Sequence, residues 1–88
     1  MKIQQKQVTS QTAGQVFKDL NSAIKAGDYL LDFEGVSMID SSAVALVLHG
    51  LRTAKRKKAL LKVANAPESL GRLVAAYSLE SLFEEVFV

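Results

Sequence analysis

Asp40-Ser41-Ser42-Ala43-Val44-Ala45-Leu46-Val47-Leu48-His49 decides how this chain is read: an acid, two hydroxyls, then an almost unbroken apolar run. Just upstream, Tyr29-Leu30-Leu31-Asp32-Phe33 reads as a strand. Leu30, Leu31 and Phe33 make it too apolar for a strand with one wet face, so it belongs at the centre of a sheet. Gly35 lets the chain turn, and Ser37-Met38-Ile39 leads into the serine pair. The unit is therefore strand, short loop, helix, with Asp40, Ser41 and Ser42 at the helix N-terminus. The spacing predicts a helix over about residues 42–58 and a docking or switch site at its start.

The flanking sequence repeats the alternation. Residues 2–9 are polar with scattered β-formers and suit an edge strand. Thr12 with Gln15 three residues on resembles a capping box, with Thr9 and Ser10 as other candidate caps. Ala13, Phe17, Leu20 and Ile24 recur at helical spacing opposite Lys18, Asn21 and Lys25, and Gly27 closes that helix. Residues 28–36 give the central strand and residues 59–64 a third strand. Asn65-Ala66-Pro67-Glu68 opens another helix, with proline and an acid in its first turn. Leu70, Leu73, Val74 and Tyr77 supply its buried stripe. Residues 78–83 read as a turn or short helix, and Val86-Phe87-Val88 as a last strand. There is no internal repeat and no linker. Strands alternating with helices imply right-handed crossovers: an α/β fold with a mostly parallel sheet of about four strands packed by three to four helices.

Eighty-eight residues make one domain, 1–88, with a thin core whose stability gains from a partner. At 49% apolar residues, five Gly and one Pro, the chain is globular. The absence of cysteine excludes disulfides and thiolate metal sites and fits a reducing compartment. No apolar run approaches the roughly 20 residues of a membrane span, and Met1-Lys2-Ile3-Gln4-Gln5-Lys6 lacks the apolar stretch of a signal peptide. A cytoplasmic protein with no direct membrane insertion is expected. The net charge of +2 is unevenly spread, since Arg52, Lys55, Arg56, Lys57, Lys58 and Lys62 cluster without an acid among them. Cations at a helix C-terminus are favourable in themselves. A nucleic-acid surface would interleave aromatics with them, and the nearest, Phe33 and Tyr77, sit at core positions. No nucleic-acid partner is expected.

Along the helix that follows the serine pair, Val44, Val47, Leu48 and Leu51 form the stripe that a sheet requires. Ala43, Ala45 and Leu46 are left on other faces, near solvent in so small a domain. As a bare surface leucine Leu46 needs no explanation; beside the serine pair, Ala43 and Leu46 also suit a partner surface. His49, the only histidine, has no second ligand cluster, so neither a metal nor a cofactor is expected. It falls off the main stripe, partly exposed. Nor does it serve Ser41 or Ser42 as a base, because seven residues of helix place it about 10 Å from Ser42 along the axis. No Gly-x-Ser-x-Gly elbow and no Gly-rich phosphate loop occurs, and an enzyme is not expected. Capping by Asp40, Ser41 or Ser42 accounts for the junction without modification. A switch is compatible with capping, because a helix N-terminus favours anions and would tolerate a phosphate on Ser41 or Ser42.

Phe33-Glu34-Gly35-Val36-Ser37-Met38-Ile39-Asp40-Ser41-Ser42 followed by an apolar helix resembles the STAS domain family of sulfate transporters and anti-sigma-factor antagonists. The resemblance covers nearly the whole chain and is strongest over residues 29–83. It implies a non-catalytic α/β module that binds other proteins, in many members under control of phosphorylation at this loop. Two branches differ in the hydroxyl that matters. In anti-sigma antagonists, a partner anti-sigma kinase phosphorylates the second hydroxyl after the acid, here Ser42. In the STAS subunit of the Mla phospholipid-transport ABC complex, the hydroxyl directly after the acid, here Ser41, grips the ATPase subunit. The ending Asn65-Ala66-Pro67-Glu68-Ser69-Leu70-Gly71-Arg72-Leu73, then Tyr77-Ser78-Leu79-Glu80-Ser81-Leu82-Phe83, is most similar to the Mla branch, as is Ala45-Leu46-Val47-Leu48-His49. Ala43 stands where the family often has glycine, and the N-terminus looks one strand shorter than in longer relatives. The Mla likeness implies docking on an ABC transporter ATPase through Asp40, Ser41, Ser42, Ala43, Leu46 and His49, peripheral to the inner membrane through that partner. In isolation the chain is a candidate homo-oligomer.

Overall fold

Every strand pairing in the molecule is parallel. The computed structural model describes residues 1–88. The order is β1 (Gln7–Val8), α1 (Ala13–Lys25), β2 (Leu30–Asp32), β3 (Met38–Ile39), α2 (Ser41–Arg56), β4 (Lys62–Ala64) and α3 (Glu68–Ala76), then a 3-10 turn, Glu80–Leu82. β1 pairs with β3 in the register Gln7↔Met38 and Val8↔Ile39. β2 pairs with β4 as Leu30↔Lys62, Leu31↔Val63 and Asp32↔Ala64. Single parallel bridges, Lys2↔Asp32 and Val63↔Phe87, place the N-terminal segment beside β2 and the C-terminal segment beside β4. This is the expected α/β fold with parallel pairing, but the strands form two two-stranded sheets, β1–β3 and β2–β4, rather than one sheet of about four strands. The strands are shorter than the apolar runs suggest, because only two or three residues of each meet a neighbour in register. Met38–Ile39, expected only as a lead into the serine pair, is itself a strand. Residues 86–88 contribute a bridge rather than a full strand.

α1 starts at Ala13, but the capping box is not formed: Thr12 makes no side-chain cap. Its hydroxyl turns back instead, accepting from the Thr9 N–H at 3.0 Å and donating to the Gln7 carbonyl at 2.8 Å. Gln15 reaches forward to Asp19.

All three helices end in the same way. Gly27, Lys58 and Ser78 take left-handed φ angles of 90°, 59° and 56°. The next N–H in each case bonds back to a carbonyl of the last turn: Asp28 to Ala23, Ala59 to Ala54 and Leu79 to Val74. Such αL endings satisfy carbonyls that the helix leaves free. Glycine adopts the conformation at no steric cost, whereas a residue with a Cβ loses about 1–2 kcal/mol there. Ser78→Gly is therefore expected to stabilise the fold by about 0.5–1 kcal/mol, the remainder being offset by glycine's freedom in the unfolded chain. Urea midpoints of the two proteins check it.

The core gathers Leu31 from β2 and Phe33 just after it, Val16, Leu20 and Ile24 from α1, and Leu70 and Val74 from α3 around α2, while Leu30, expected inside, is exposed. α2 packs against α1 on one side and α3 on the other, so its buried face is broad: Ala43, Val44, Leu46, Val47, Gly50 and Ala54. This corrects the expected stripe. Leu46 and Ala43 are both 0% exposed, so neither offers a partner surface, while Leu48 and Leu51 are only half-buried. The face is turned by roughly a quarter-turn toward its small residues, because these let the helix approach its neighbours. At Gly50 a Cβ would lie 2.8 Å from Leu61 Cδ2 and 2.9 Å from Leu20 Cδ2. Tyr77 also leaves the core, since α3 stops at Ala76 and the tyrosine is 53% exposed.

Candidate docking site at the start of α2

Asp40 is the N-cap of α2, in an extended conformation that ends β3 and aims its carboxylate back along the helix. Oδ1 accepts from the Ser42 N–H at 2.8 Å. Oδ2 accepts from the Ser10 N–H at 3.0 Å, and the Asp40 N–H donates to the Val8 carbonyl at 3.2 Å. One residue thus ties the start of α2 to β1 and to the loop before α1. The Ser42 and Ser10 amides pull the Asp40 carboxyl below its ordinary value of 3.8. With both carboxylate oxygens bonded to backbone amides, Asp40 clamps the start of α2 to the loop before α1.

A depressed carboxyl contributes stability that is present above the unfolded value and lost as pH falls through the folded one. The window here lies below the ordinary 3.8. Asp40→Asn keeps an acceptor for one amide but removes the charge. The variant should be less stable than wild type at neutral pH, and the gap should narrow as pH drops below that value. Thermal unfolding across the acid range reads this out. Asp32, lowered by the Asn65 side chain and the Glu34 N–H, leaves a residual acid sensitivity in both proteins.

Ser41, the first residue of α2, is exposed; Ser42 is half-buried. Ser41 lies with Ile39 and Asp40 in an open groove of about 490 Å³, whose other wall is Ser69, Arg72, Leu73, Ala76 and Tyr77 of α3 and its end. Arg72 pairs with Glu68 at 3.3 Å across one turn, both largely exposed. Exposed Met38 lies on β3 just before the groove's Ile39. Ala45 and Arg52 continue the exposed face of α2 from Ser41 at helical spacing.

The structure therefore sorts the expected residues. Asp40 and Ser41 share the groove, and Ser42 lies half-covered beside them. Ala43 and Leu46 lie in the core, as above. His49 faces α1: its Nε2 is 2.6 Å from Asn21 Oδ1, and its ring packs against Phe17 with centroids 5.2 Å apart. It joins two helices and is only half-buried, but it does not line the Ser41 groove. The α3 wall was missed, because Tyr77 and Leu73 carry the helical spacing of a core stripe. The signal available was that the stripe outruns the helix: Ser78 has a turn-forming side chain and follows Tyr77 directly.

The basic cluster is partly committed. Lys57 Nζ donates to the Lys25 carbonyl at 3.0 Å and to the Ile24 carbonyl at 3.4 Å, closing the end of α1, and Lys62 Nζ donates to the Glu85 carbonyl. No group of three or more His, Cys, Asp or Glu residues is placed to hold a metal. No helix is long and apolar enough to cross a membrane.

A search of curated proteins finds no match to this chain. Residues 6–84 match a protein family described as "Mlab, STAS domain", which takes in every element from β1 through the 3-10 turn. With the parallel strand pairing and the acid-serine-serine junction at the start of α2, this match places the chain in the STAS domain family.

Proposed function

We propose that the chain is the STAS subunit of a bacterial Mla-type phospholipid-transport ABC complex, where it docks on the cytoplasmic ATPase subunit and regulates it. The observation that carries this reading is the exposed Ser41 in an open, partly apolar groove between α2 and α3, held in place by a fully engaged Asp40. A non-catalytic protein-binding role suits a site whose one acid is spent on backbone amides and whose one histidine is turned to α1. The protein would work in the cytoplasm, at the inner membrane only through its partner.

The alternative, an anti-sigma-factor antagonist switched by a kinase, puts the phosphate on Ser42. That residue is half-buried and its amide is held by the Asp40 carboxylate, so a phosphate there would meet a like charge. Exposure favours Ser41. The test is isothermal titration of an Mla-type ATPase subunit with the wild-type chain and with Ser41→Glu. Binding by wild type that the substitution abolishes supports the reading, and equal affinity overturns it.

A further inference from the structure

At the other end of α2, about 16 Å along the helix from Ser41, lies a second groove of about 590 Å³. Leu48 and Leu51 of α2 form one side, and Leu60, Leu79 and Leu82, from the segments that follow α2 and α3, complete it. Leu60 is 47% exposed and Leu82 57%, an apolar surface that the chain itself leaves uncovered.

The groove carries one sign of charge. Arg52 and Lys55 stand in its lining, at a spacing that puts them on one face of α2, and no acidic residue lines it. Both are exposed and neither is in an ion pair, the chain's ion pairs being Met1–Asp28, Lys2–Glu34 and Arg72–Glu68. Stabilisation of a helix C-terminus accounts for cations here. It does not account for five leucines converging beside them.

Shape and charge together select the occupant. From Leu48 to Lys55 is about 10 Å of helix axis, the reach of apolar anchors at i, i+4 and i+7 on a helix laid alongside. A nucleic acid would need aromatic side chains to stack on, and the lining has none. A bilayer takes apolar side chains that stand out from a surface into the acyl boundary, whereas these leucines line a concavity. A second copy of the chain would bring the same unbalanced positive charge to the contact.

We propose that this groove binds an acidic amphipathic helix of a partner protein. The helix lays its apolar anchors among the leucines and sets its carboxylates on Arg52 and Lys55, which fix its orientation. Binding there is separate from the Ser41 groove and does not rest on the docking reading.

The probe is a fluorescently labelled peptide of about 14 residues, with leucines at i, i+4 and i+7 and glutamates beside them. Its anisotropy is followed as the full chain is added to about 500 µM. Saturable binding that weakens as salt is raised is expected, and the same peptide with lysine for every glutamate should bind at least about tenfold more weakly. Arg52→Glu with Lys55→Glu should invert that preference, which unspecific apolar association would not do. Leu82→Arg should abolish binding with an unchanged circular dichroism spectrum, while Ser41→Glu should leave affinity as it was. No saturable binding, equal affinity for the two peptides, or a double variant that keeps the original preference would each overturn the proposal. So would cosedimentation of the chain with vesicles of equal parts phosphatidylglycerol and phosphatidylcholine that Leu82→Arg removes, a result that assigns the groove to an anionic lipid surface.

Discussion

Leu46→Ala is expected to destabilise the fold by about 2–5 kcal/mol, whereas Ala45→Arg, one residue earlier, should change stability by less than about 0.5 kcal/mol. The two positions separate the side of α2 that builds the domain from the side that meets solvent. Leu46 is fully buried, and α2 lies between α1 and α3, so the missing methyl groups leave a cavity that neither neighbour fills without moving. Ala45 is exposed on the outer face that runs on from Ser41. A domain of this size has a stability toward the low end of the usual range of about 5–15 kcal/mol. The leucine substitution thus removes a large share of the total, and the thermal midpoint should fall by ten degrees or more. Urea unfolding followed by circular dichroism measures both variants. An unchanged midpoint for Leu46→Ala would mean that this side chain faces solvent and that α2 is rotated from the arrangement described.

The second large effect belongs to Ser41. If the groove between α2 and α3 is where the ATPase subunit docks, Ser41→Glu places an uncompensated charge in a surface that must lose its water. Burying an unpaired charge at an interface costs roughly 2–5 kcal/mol, so affinity should fall by about 100-fold. The fold should be unharmed, since an acid in the first turn of a helix is favourable to that helix. Unchanged thermal stability with lost binding is the result that distinguishes an interface role from a structural one. Tyr77→Ala on the opposite wall, where the ring is half-exposed beside Arg72 and Leu73, should weaken binding with Ser41→Glu and likewise leave stability nearly unchanged. Loss at one wall with indifference at the other would confine the contact to a single helix.

The sequence by itself determined the alternation of strands and helices apart from β3, the parallel direction of the pairing, and the acid-serine-serine junction at the start of α2. Those follow from periods of 2 and 3.6 and from turn and cap chemistry, which are local and need no knowledge of neighbours. The family match over residues 6–84 agrees with that reading. Only the tertiary structure decided which face of α2 is inside. A single helix on a sheet buries one stripe, and the large residues Val44, Val47, Leu48 and Leu51 suggest where that stripe lies. A helix also flanked by α1 and α3 buries a wider arc, centred where small residues permit close approach. That places Ala43, Leu46 and Gly50 inside, leaves Leu48 and Leu51 half-covered, and turns His49 onto Phe17 and Asn21. The candidate site follows the same division. Asp40 and Ser41 were legible because a cap is read from adjacent residues, while the α3 wall with Arg72 and Tyr77 was not, because proximity between residues 41 and 77 is created only when α3 packs beside α2.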